Sequence, residues 1–151
     1  MAILIIVILV SGISIYGALT MKRFFFLLGY FLFSILAVTS LLPSFGNDKL
    51  LAITTMALMV VSAIISFPAR KNILDYKIND EAKPLIKSFA VKNLLALSAI
   101  NFFAVFIVLY DTNMPEGMTE NMRSIPMVMH GILGVLPVYV MFNIIRSNSS
   151  N

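Results

Sequence analysis

The chain has 151 residues, of which 60% are hydrophobic and 12% charged, where soluble domains run near half apolar and about a quarter charged. It lacks the residues for the polar shell of a soluble fold, and its apolar residues come in long unbroken stretches, the composition of a chain whose solvent is lipid. Cysteine is absent, which excludes disulfides, Cys-ligated zinc, iron–sulfur clusters and thiol nucleophiles, and the formal charge of +4 does not point to nucleic acid, because the basic residues cluster at the ends of apolar runs.

The first apolar run, residues 2–20, closes at Met21, Lys22 and Arg23. No Lys or Arg precedes it and no small-x-small cleavage site stands out, so it reads as a first span that stays rather than a cleavable signal peptide. The second run covers residues 24–42 and is closed by Pro43, Ser44, Phe45, Gly46, Asn47 and Asp48. Together the two are far too long for one crossing, since a core of roughly 30 Å takes about 20 residues. Lys22 and Arg23 must reach water, which predicts a tight helical hairpin. A four-span alternative treats part of residues 1–42 as one re-entrant or tilted element, whose lipid-exposed backbone would need hydrogen bonds from elsewhere.

The third span covers 50–67 and ends at Pro68. The stretch 68–88 is the longest polar segment, with Arg70, Lys71, Asp75, Lys77, Asp80, Glu81, Lys83 and Lys87. Asn79 or Asp80 can cap a helix whose first turn holds Glu81 and Pro84, running on through Lys92 into a fourth span at 89–110. After a loop at 111–123, Ser124 can cap the fifth span, 124–145. The expected fold is an all-α polytopic transmembrane bundle of five spans, a single membrane domain over residues 1–151.

Five spans put Lys22, Arg23, Arg70, Lys71, Lys77, Lys83, Lys87, Lys92 and Arg146 on one side, and only Lys49 and Arg123 on the other. Positive residues stay cytoplasmic, which predicts an outside N-terminus, a cytoplasmic C-terminus and a cytoplasmic loop 68–88, in a membrane of the bacterial inner type. The cations of that loop would also be drawn to an anionic leaflet.

No Asp, Glu, Lys or Arg lies within a span away from its ends. Intramembrane charge usually marks proton relays, ion sites and substrate pathways, so its absence argues against a proton-coupled transporter and removes the usual general acids and bases. His130 is the only histidine, about 9 Å deeper than Ser124 at 1.5 Å per residue. It reads as hydrogen-bonded to a neighbouring helix, or alternatively as a metal ligand or pH-responsive group.

Met114, Met118, Met122, Met127 and Met129 crowd the segment before His130. The first three are four apart, and thioethers are soft ligands suited to Cu(I). Over this short stretch the spacing resembles the Met-x-x-x-Met elements of copper transporters, which implies Met118, Met122 and His130 as candidate metal ligands. Gap-filling by methionine where loop meets bundle is the competing reading.

In the fifth span Met127, His130, Gly131, Gly134, Val138 and Met141 follow helical spacing along one stripe. Gly131 and Gly134 would let another backbone approach closely, and Pro137 removes a helix hydrogen bond, so the stripe reads as close packing, a hinge or a face for another subunit. Asn101, with Ser98 one turn away, sits mid-span in the fourth helix. Thr55, Ser62 and Ser66 line one side of the third, and Ser11, Ser14 and Ala18 one side of the first. Such residues act as interhelical hydrogen-bond ties, on the order of 1 kcal/mol or less each.

The function expected is that of a non-enzymatic subunit or assembly factor without a cofactor, in a homo-oligomer or beside other membrane chains. Transport or Cu(I) handling through the Met-rich loop is the alternative, and a lipid-modifying enzyme using a cleft at Asn101 and His130 comes last.

Overall fold

The computed structural model describes residues 2–42, 50–67, 83–110 and 120–147. Nearly all of these lie in five helices: α1 (Ala2–Leu19), α2 (Arg23–Leu41), α3 (Leu50–Ser66), α4 (Lys83–Tyr110) and α5 (Glu120–Ser147). Three stretches are long and apolar enough to cross a membrane: Arg23–Leu41, Ser88–Tyr110 and Ser124–Arg146. Ile5–Leu19 and Ala52–Ser66 are shorter apolar helices. The fold is all-helical, and its three long apolar helices mark an integral membrane protein.

The distribution of polarity agrees. Ser11, Ser14, Ser34, Thr55, Ser62, Ser66, Ser98, Asn101 and His130 are all buried, whereas Leu9 and Phe142 are 64% and 63% exposed. A soluble bundle does the reverse. In lipid, polar side chains turn inward because no water is available outside and their partners lie within the bundle.

Each helix packs on the next in the chain, and α5 closes back on α1. The core joins Val10 and Ala18 of α1, Phe26, Tyr30 and Phe33 of α2, Leu94 and Leu97 of α4, and Leu133 and Val140 of α5. A smaller cluster of Met59, Ile100 and Ala104 ties α3 to α4, with Ala37 and Val38 of α2 against it.

The hairpin expected around Lys22 and Arg23 is present, and its turn is resolved in detail. Met21 has a positive φ of 53°. Lys22 N–H donates to Gly17 O at 2.9 Å and Met21 N–H to Ala18 O at 3.3 Å. This pair of bonds is the Schellman closure of α1, which satisfies carbonyls the helix end would otherwise strand. Lys22 then lies at the N-cap of α2, and its O accepts from Phe26 N–H at 3.1 Å. A Cβ on Gly17 would lie 2.1 Å from Phe26 N, and one on Gly29 would lie 2.1 Å from Ser14 Oγ. The two helices therefore approach to near backbone contact, a geometry that only glycine permits here.

α4 is one continuous helix from Lys83 into the membrane stretch, with Pro84 in its first turn, where a missing N–H costs nothing. The suggested caps Asn79 and Asp80, with the rest of 68–82, lie outside the described residues. α5 begins at Glu120, ahead of the start expected at Ser124, so Ser124 lies inside the helix and Pro126 in its interior.

Candidate functional site

Four buried polar side chains, Tyr30, Ser98, Asn101 and His130, converge where α2, α4 and α5 meet, around the turn of α5 that Pro137 interrupts. Proline has no N–H and its ring crowds the carbonyl four residues earlier. For Pro137 that carbonyl belongs to Leu133, and the Gly134 carbonyl lies in the same interrupted turn. In a bilayer an unmet carbonyl costs several kcal/mol by the simplest reckoning. The Leu133 carbonyl is met from another helix, by Tyr30 Oη of α2, and Ser98 Oγ of α4 donates to the neighbouring Gly134 O at 2.8 Å.

One turn away, His130 Nδ1 lies 2.9 Å from Asn101 Oδ1. Asn101 Nδ2 donates to Leu97 O at 2.8 Å, which fixes the amide with its oxygen toward the imidazole. An amide oxygen only accepts, so Nδ1 carries the proton of this bond. The Phe33 ring stands edge-on to the imidazole, centroids 5.1 Å apart at 86°, and closes the site from α2. Asn101 and His130 are 1% and 5% exposed, so they are packed against each other and line no open cleft.

The chain matches no protein-family model, no curated protein and no solved structure. The site's chemistry must therefore be read from its own atoms. One imidazole, one amide, two hydroxyls and two backbone carbonyls form it, and none is a carboxylate or an amine. Such a set holds helices together; it supplies neither a charged acid–base pair nor a hard-cation site. Among the described residues no three of His, Cys, Asp and Glu come together.

Of the residues singled out from the sequence, His130 and Asn101 meet directly. Gly134 lies under Phe102, where a Cβ would be 2.9 Å from the ring edge. Gly131, one position round the helix, faces open space, with nothing within 4 Å of a Cβ placed there. The stripe traced through both glycines therefore splits: the fully inward line runs His130, Leu133, Gly134, Pro137 and Val140, while Gly131, Val138 and Met141 lie half-buried beside it. Met114 and Met118 lie outside the described residues, as does the side chain of Met122. Met129 is partly buried against the main core.

Tyr30 and Phe33 are functional neighbours that sequence reasoning did not single out. A signal for Tyr30 was present in Pro137: an interior proline strands a carbonyl, and a stranded carbonyl in lipid requires a donor from another helix. Nothing in the sequence says that the donor comes from α2.

Proposed function

We propose that this protein is a non-enzymatic membrane subunit or assembly factor with five crossings, working as a homo-oligomer or beside a larger membrane chain. The observation that carries this reading is the self-contained use of the polar core. Tyr30, Ser98, Asn101 and His130 bond to the bundle's own backbone or to one another, and none of the four is a carboxylate or an amine. Gly131, open on the outside of α5, gives a partner helix a place to approach.

Five crossings are supported by helix lengths. The 18 residues of α1 and 17 of α3 reach ~27 and ~26 Å at 1.5 Å per residue, close to a core of roughly 30 Å. The nine-to-two excess of Lys and Arg on one side supports an outside N-terminus and a cytoplasmic C-terminus in a bacterial-type inner membrane. Extraction in a gentle detergent followed by native mass measurement tests the role. A defined oligomer or a stoichiometric second chain is expected, and Gly131→Leu should dissociate it without unfolding the bundle. A lone monomer with no co-purifying chain overturns the proposal.

A further inference from the structure

We propose that the groove between α2 and α3 is a binding site for a single lipid acyl chain. The inference rests on the membrane reading of both helices. The groove has a volume of about 490 Å³, and its lining is apolar apart from the hydroxyls of Ser34 and Thr39, with Ile35, Val38, Val60, Ala63 and Ile64 among its walls. Its two hydroxyls are already used: Ser34 Oγ donates to Tyr30 O at 2.7 Å, and Thr39 Oγ1 lies 3.0 and 2.9 Å from Ile35 O and Leu36 O. The groove therefore offers hydrocarbon and no free donor, and a polar ligand would lose its hydrogen bonds on entering.

Its dimensions match a hydrocarbon chain better than a protein segment. One end is closed by Phe31 and Phe67, edge to face with centroids 5.4 Å apart. From Phe31 to Thr39 it runs only ~12 Å at 1.5 Å per residue, whereas a crossing helix needs roughly 30 Å. Nine residues line it, against the ~20–30 residues a side of a stable protein interface. A second copy or a partner helix would overhang the groove without filling it. A single flexible chain from the surrounding bilayer enters from the open side and ends against the phenylalanine pair.

The test uses the full chain in phosphatidylethanolamine–phosphatidylglycerol vesicles carrying a phosphatidylcholine with a photoactivatable diazirine midway along one acyl chain. Adducts are mapped by peptide mass spectrometry. Ile35, Val60 and Ile64 should be labelled several-fold more than Ile8, Phe106 and Phe142, which are comparably exposed on other helices. Ala63→Phe, which fills the groove, should bring the two sets to parity. Even labelling of the unaltered protein overturns the proposal whether or not that variant folds, as does a second polypeptide cross-linked at the groove. An absence of adducts on every helix would overturn the membrane reading itself, a result distinct from even labelling.

Discussion

Removing one oxygen from Tyr30 tests whether the interrupted turn of α5 is held from outside. Tyr30→Phe keeps the ring, including its contact with Phe26 at 5.0 Å between centroids, and deletes only the donor to Leu133 O. Tyr30 is 1% exposed, so water cannot substitute. A buried acceptor left unmet costs ~1–3 kcal/mol, while interhelical hydrogen bonds measured in membranes average about 0.6 and reach about 1.7 kcal/mol. The stranded carbonyl belongs at the upper end of the membrane range, so about 1.5 kcal/mol is expected, roughly tenfold in the folding equilibrium. The decisive comparison is a double-mutant cycle with Pro137→Ala. Alanine restores an N–H that can reach Leu133 O within the helix, which makes the tyrosine bond dispensable, and the cost of Tyr30→Phe should fall to ~0.5 kcal/mol. Reversible unfolding in bicelles gives all four free energies. If Tyr30→Phe costs the same with proline or alanine at position 137, the hydroxyl does not act through the freed carbonyl and the account of this turn is wrong.

Four other substitutions probe the packing by the same assay. Gly17→Ala sets a Cβ 2.1 Å from the Phe26 backbone and should open the hairpin at a cost of ~3 kcal/mol or more. Gly134→Ala meets only the Phe102 ring, which is 45% exposed and free to swing outward, so it should cost under about 1 kcal/mol; equal costs would contradict the backbone contact. Asn101→Leu strands the His130 N–H and should cost ~1–2 kcal/mol, most of it recovered by adding His130→Phe, because deleting both partners leaves nothing unmet. Met21→Gly removes a left-handed strain of ~1–2 kcal/mol and adds ~0.4–1 kcal/mol of unfolded-state entropy. A net gain between zero and about 1.6 kcal/mol is therefore expected, and a loss would mean that the Met21 side chain has a role of its own.

What could be read from the sequence was whatever the solvent dictates residue by residue. The inward turn of Ser14, Ser98, Asn101 and His130 follows from lipid alone, since each polar side chain must find a partner in another helix or its own backbone. The hairpin followed from two charges between two apolar runs. Pairings across the bundle were not legible, because they depend on how helices far apart in the chain are set against each other. Tyr30 and Leu133 are 103 residues apart, and no periodicity within either helix announces the bond. The two α5 glycines show the same boundary at closer range. Gly131 and Gly134 lie only about 60° apart around the helix axis, too close for spacing to tell which one meets Phe102 and which faces outward.

These pairings bear on what holds this bundle in one arrangement. Between lipid and bundle interior, an apolar side chain changes solvent very little, so burial alone sets neither the depth nor the rotation of a helix. Groups that have no partner except at one position can do so. Pro137 creates such a requirement in the middle of α5, where the Leu133 carbonyl has lost its helix donor. Tyr30 supplies a donor from α2, and Ser98 of α4 donates to the neighbouring Gly134 carbonyl. Sliding α5 by one turn, ~5.4 Å, would move both carbonyls away from both hydroxyls and separate His130 from Asn101 at the same time. Proline, ordinarily a weakness in a helix interior, here makes the register of α5 specific, because an uninterrupted helix would carry no unmet carbonyls and could slide at little cost. The same logic explains how neutral groups can arrange a bundle uniquely: the specificity comes from the positions of a few hydrogen bonds.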